Sequence, residues 1–154
     1  LGGADFIEAD FTDARFEGCD LSNTVWGGAK LTSARFEKCR MTGASLTQCH
    51  GVGLELEDCA LVMADLQGLS FRRQTLNNLD MSEADLARVN FEDCVFQNCK
   101  LRGARLLETR FQGADLRAVD MGVITLDQAT TLKGAIISKD QASSLLAGFG
   151  LQVL

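Results

Sequence analysis

The chain predicts an all-β solenoid, a quadrilateral β-helix that ends in a short C-terminal α-helix. Three observations carry that prediction. The first is a five-residue beat: positions 1, 6, 11, 16, 21, 26, 31, 36, 41 and 46 are Leu, Phe, Phe, Phe, Leu, Trp, Leu, Phe, Met and Leu. The beat resumes at Leu56 and runs to Leu126, with Gly51 the one residue out of character. The second is a small or apolar side chain two places before each beat, as at Ala4, Ala9, Ala14, Cys19, Thr24, Ala29, Ala34 and Cys39. A period of five fits neither a helix at 3.6 nor a strand at 2, and points to a repeat architecture. The third is recurrence at 20 residues. Phe11, Phe71, Phe91 and Phe111 share one phase, Phe16, Phe36 and Phe96 another, and Cys19, Cys39, Cys59 and Cys99 a third. Like residues recur at this interval when four five-residue sides close one coil and successive coils stack.

Residues 1–126 then form about six coils, a rod of roughly 30 Å at the 4.8 Å spacing of a hydrogen-bonded ladder. The beat residue and the one two before it point inward, and the other three point out, Asn90 among them. Each buried Leu or Phe contributes about 1.5–3 kcal/mol, so the rod is stabilised one layer at a time. The chain has no Pro, as expected where a missing N–H would break the ladder.

The register weakens from Cys49 to Met81, where Gly51 replaces a core residue and Leu54, Leu69, Gln74 and Leu79 stand where Ala or Cys is usual. Two readings fit: a wider cross-section in which large side chains offset the one missing at Gly51, or a bend between two sub-rods. The wider cross-section is the simpler, because any void or misfit demands compensation.

After Leu126 the beat ends. Ser138 with Gln141 is a capping-box pattern, and Ala142, Leu145, Leu146 and Phe149 follow at i, i+3, i+4 and i+7, one apolar stripe of a helix. Residues 1–130 are therefore expected to be the β-helix, and 131–154 a capping and dimerisation segment. Such a helix can simply lid the open end of the rod. With its apolar tail it carries more apolar surface than one coil end covers, which favours a two-fold contact in a homodimer. Leu145, Leu146, Phe149, Leu151 and Val153 are the expected interface.

The composition removes most chemistry. Net charge is −6, which argues against direct binding of nucleic acid. No apolar run is long enough to cross a membrane, and the N-terminus has no targeting pattern, so a cytoplasmic protein is expected. His50 is the only histidine, leaving no triad or His-based metal site. All six Cys occupy the small inward position and none forms C-x-x-C. They read as small hydrophobes whose parallel Cβ directions disfavour disulfides, in keeping with a reducing compartment. No cofactor site is legible, and the expectation is a binding protein, not an enzyme.

The unit A-[D/x]-[L/F]-x-x, repeated over residues 1–126, resembles the pentapeptide-repeat family, whose members form right-handed quadrilateral β-helices. The segments Gln141–Leu154 (QASSLLAGFGLQVL) and Gly51–Cys59 (GVGLELEDC) are similar to parts of its Qnr and MfpA group. The resemblance implies a dimer that binds DNA gyrase, and often topoisomerase IV, as an acidic imitation of duplex DNA. Two loops project from the coils of many Qnr proteins. One would fall near Arg72–Gln74, where this chain stays in register, so neither loop is expected. That departure bears on whether the protein protects gyrase from quinolones or inhibits it.

Two acidic groups are candidates for the partner-binding surface. Glu17, Glu37 and Glu57 recur at one outward phase with Glu55 and Asp58 beside the last, and Asp80, Glu83 and Asp85 lie farther along. The basic Arg15, Arg35 and Lys38 share the first face, which keeps an ordinary solvated charge mixture in play. The alternative function is a structural or adaptor rod with an unrelated protein partner.

Overall fold

Two places after each beat position from Leu1 to Phe111 the backbone turns left-handed. Gly takes many of these positions, but Asn23, Ser33, Met63 and Arg73 also adopt φ of 55°, 55°, 57° and 64°. A side chain in this conformation costs on the order of 1 kcal/mol, so the corners hold because the coils above and below bond to them. In the computed structural model, which covers residues 1–154, these corners fold the chain into a β-helix.

Five three-residue strands line one side: β1 (Arg15–Glu17), β2 (Arg35–Glu37), β3 (Glu55–Glu57), β4 (Thr75–Asn77) and β5 (Val95–Gln97). They form one parallel sheet in chain order, with Phe16 opposite Phe36 and Leu76 opposite Phe96. The other three sides pair through single parallel bridges such as Asp5 to Val25, Asp10 to Lys30 and Asp20 to Arg40. Up to Lys100–Asp120 every one of these offsets is 20 residues, which makes the coil four-sided. Amides of beat residues bond forward, as Phe91 N–H does to Arg110 O at 2.8 Å, and amides one place earlier bond back, as Asn90 N–H does to Leu69 O at 2.9 Å.

The core is columnar. Phe16 stacks on Phe36 with ring centroids 4.7 Å apart, and Phe71, Phe91 and Phe111 stack at 5.7 and 5.4 Å. Trp26, fully buried, donates its indole N–H to Thr24 Oγ1 at 2.8 Å. Cys39, Cys59, Cys94, Cys99 and Thr109 each donate to the carbonyl 23 residues earlier, in the coil below. The small inward position thus also carries a side-chain rung.

Between Asp5–Val25 and Lys100–Asp120 only two rungs of the ladder are missing, and they are neighbours. His50 does not pair with Ser70, and β3 meets β4 only at Glu57–Asn77, leaving Glu55 and Thr75 apart. Leu54 O accepts instead from the Gln74 side-chain Nε2 at 3.0 Å. Inside this corner, a Cβ on Gly51 would lie 3.2 Å from Leu69 Cδ2 and 3.5 Å from Leu54 Cδ2. The two leucines, both buried, occupy the room a core side chain at 51 would need, as the wider-cross-section reading expects. The register runs on through residues 71–74, where Phe71 and Arg73 N–H bond to Asn90 and Glu92 O, and no loop projects there.

Two sequence expectations are corrected. Leu126 does not continue the beat into the core: it opens helix α1 (Leu126–Thr131) and is 67% exposed. Thr125 and Gln128 form a capping box that takes the chain out of the ladder, and the ladder is rejoined once, by Asp115–Ile136, at an offset of 21. Asn90 has an outward backbone position, yet it is buried, and its Oδ1 accepts the Glu92 N–H at 2.9 Å. The second helix, α2 (Lys139–Gly148), starts at Ser138 with the expected capping box.

Leu69→Ala should cost about 2–5 kcal/mol as a buried truncation, and Gly51→Leu about 1–3 kcal/mol by overpacking. Because both residues claim one space, the double variant should be less destabilised than the sum by at least about 1 kcal/mol. Urea denaturation with an unchanged m-value checks this, and additive costs would contradict the shared-space account.

Candidate protein-binding surface

The carboxylate ladder lies where the periodicity placed it. Glu17 pairs in register with Glu37, and Glu37 with Glu57, on the side formed by β1, β2 and β3. Stacked like charges repel, and interleaved cations offset the repulsion. Arg15 Nη2 reaches Glu37 at 2.9 Å and Glu17 at 3.5 Å. Arg35 reaches Glu57 at 2.7 Å and Glu55 at 3.6 Å, and Lys38 Nζ lies 3.3 Å from Glu37. Lys38, and then Arg15, hold the Glu37 carboxyl below the ordinary carboxylate range.

The second group is neutralised in the same way. Lys100 pairs with Asp80 at 3.3 Å and Arg105 with Asp85 at 2.8 Å. Of the eight candidate acids, only Asp58 and Glu83 have no basic partner, and Asp58 accepts from Asn78 Nδ2 at 2.6 Å. Surface ion pairs of this kind add little to stability, so they shape the surface potential more than the fold.

Sequence reasoning missed the main use of aspartate. Just before a beat residue, the carboxylates of Asp5, Asp10, Asp20, Asp65, Asp80, Asp85, Asp115 and Asp120 each accept the N–H two residues on. This Asx-type bond satisfies a corner amide that the ladder does not reach. Thr12 and Ser22 hydroxyls add a second bond and hold Asp10 and Asp20 below the usual range. At Asp80 partial burial pushes the other way and is outweighed by Ser82 and Lys100. The recurring A-D-L unit was the available signal. The acids left without cation partners include Asp5, Glu8 and Asp13 in the first coil, and Asp65 and Glu108 farther along.

The expected dimer residues divide into two groups. Leu145 packs against the end of the core, Phe149 is half-buried, and Leu146, Leu151 and Val153 are 39%, 55% and 53% exposed. Helix α2 is fixed by Gln141, whose Nε2 donates to Leu116 O at 2.7 Å and Val119 O at 2.9 Å. Gln128 makes a similar bond from α1 to Ala104 O at 3.3 Å. The glutamine of each capping box therefore also fastens its helix to the open end of the rod.

Pentapeptide repeats match the chain in eight copies, over residues 1–25, 9–48, 55–93 and 90–122, and the chain belongs to the pentapeptide-repeat family. Among solved structures it is similar to QnrB1, described as a plasmid-mediated fluoroquinolone resistance protein. One trypsin-treated form is 25% identical with a TM-score of 0.63, covering 97% of this chain and 85% of that one. Another is 18% identical with a TM-score of 0.56 and the same coverage. A comparison with curated protein sequences finds no match. No helix is long and apolar enough to cross a membrane.

The cysteines are free thiols. Burial pushes the Cys49, Cys59 and Cys94 thiols up to about 11, so they are poor nucleophiles at neutral pH. A raised native value means that folding favours the protonated thiol. The resulting stability is fully present below the unfolded value of about 8.5 and is lost as pH rises toward about 11. The chain has no Tyr to titrate in the same window. The urea midpoint should therefore fall between about pH 8.5 and 11, and should fall less in Cys59→Ala. Identical pH slopes for the two proteins would contradict the assignment.

Proposed function

We propose that this protein is a non-enzymatic binding rod that engages DNA gyrase, with topoisomerase IV as a second target, in place of duplex DNA, and so modulates the enzyme or protects it from quinolone-type inhibitors. The observation that carries the reading is the similarity to QnrB1 over 97% of the chain at a TM-score of 0.63. The in-register column Glu17, Glu37 and Glu57 supports it. In this reading the rod acts as a cytoplasmic homodimer joined through Leu146, Phe149, Leu151 and Val153, with Leu145 beneath them. Residues 1–130 present the surface and 131–154 join the two copies, giving a long two-fold rod to lie along a two-fold enzyme.

Electrostatics limits how much of the imitation is charge. Duplex DNA carries one charge per about 1.7 Å of axis, whereas one carboxylate per coil recurs at about 4.8 Å. Six of the eight candidate acids also have a cation beside them. Shape and two-fold length must therefore supply much of the fit. The same neutralisation is the observation that favours the second reading, an adaptor rod with a different protein partner.

A supercoiling assay with and without a quinolone, together with DNA competition for gyrase, tests the proposal. Wild type should compete with DNA, more weakly as salt screens the contact. The triple variant Glu37→Gln, Glu57→Gln, Asp58→Asn should bind several-fold more weakly, and Arg15→Gln with Arg35→Gln more tightly, by roughly similar factors. Leu146→Asp should yield monomers in light scattering that retain the rod but bind less well. Absence of gyrase binding at low salt would overturn the proposal in favour of the adaptor.

A further inference from the structure

The two missing rungs share one corner. The pairs His50–Ser70 and Glu55–Thr75 are open, while Ser45–Asp65 before them and Glu57–Asn77 and Ala60–Asp80 after them are closed. The comparable amides one coil lower are bonded: His50 N–H to Ala29 O at 2.8 Å and Glu55 N–H to Ala34 O at 3.0 Å. The rod is therefore held on two sides and parted on the other two at a single level.

The residues there suit movement. Gly51 contributes no side chain to the column that carries the stacked Phe71, Phe91 and Phe111 rings above it. Leu54 and Leu69, which have several rotamers, fill the space in place of a ring. At the open Glu55–Thr75 rung the bond across comes from Gln74, a side-chain amide that can follow or release Leu54 O. The pentapeptide-repeat match also lapses between residues 48 and 55, so the same corner departs from the repeat in sequence and in bonding.

We propose that this corner is a hinge. The rod bends by opening and closing residues 48–55 against 67–75, while the bonded sides at Ser45–Asp65 and Ala60–Asp80 act as the pivot. Packed coils above and below move as rigid bodies, because interiors at this density do not deform continuously. Bending at mid-rod changes the angle between the acidic N-terminal coils and the helix-capped end. A partner surface of suitable curvature, of whatever identity, would select one angle.

Double electron–electron resonance on the full chain decides it, with spin-labelled unnatural amino acids that leave the six native cysteines untouched. One label pair, at Thr12 and Glu92, runs along the parted corner. The other, at Ser22 and Arg102, runs along the opposite one. Each pair spans 80 residues, four coils or about 19 Å. The Thr12–Glu92 distribution should be about twofold broader than the Ser22–Arg102 distribution, as for a hinge open on one side. Gln74→Ala frees Leu54 O for the Thr75 N–H, and should narrow the first distribution toward the second. Equal widths in the wild type would overturn the hinge, as would a broad distribution unchanged in Gln74→Ala. If that variant does not fold, the wild-type comparison alone decides.

Discussion

The parallel hydrogen-bonded ladder from each residue to the one 20 places on is the constraint on which the rest of the structure depends. It sets the coil to four sides and brings every fifth backbone unit to a left-handed corner. It also places like residues over like, so that Phe16 meets Phe36 and Glu17 meets Glu37. Stacking of this kind is favourable for rings and unfavourable for carboxylates. The chain answers the second problem with arginines in a neighbouring column that reach across to the next coil, as Arg15 does to Glu37 and Arg35 to Glu57.

That answer changes how the acidity is read. A net charge of −6 suggests a broadly acidic rod, but much of the aspartate is engaged in corner bonds and much of the glutamate in ion pairs. The acids that remain unpaired, from Asp5 and Glu8 through Asp58 and Glu83 to Asp140, are spread along the chain. A partner that recognises this surface meets short rows of compensated charge on a regular 4.8 Å grid, with shape at least as informative as potential.

The columns were legible because side chains in a solenoid report their phase directly: a ring every 20 residues can only stack on itself. The α2 cap was legible for a similar reason, since Ser138 and Gln141 satisfy helix amides by a purely local rule. Thr125 and Gln128 carry that same local pattern, yet Leu126 sat on the beat and disguised the start of α1. Asn90 was misread because alternation gives the backbone direction but not whether a short polar side chain folds back onto its own turn. The ion pairs between coils, such as Arg15 with Glu37 and Lys100 with Asp80, could not be read, because they join residues about 20 apart and need the coil to exist first. The Gly51 corner was visible as an irregularity, but which rungs it would open was not.

Through-hydrogen-bond scalar couplings in NMR test the ladder most directly, since each one identifies a donor and its acceptor carbonyl. The account predicts couplings from Phe91 N–H to Arg110 C=O and from Asn90 N–H to Leu69 C=O. It predicts none from Ser70 N–H to Cys49 C=O or from Thr75 N–H to Leu54 C=O. Couplings at offsets belonging to a coil of 15 or 25 residues, three or five sides of the five-residue repeat, would contradict it.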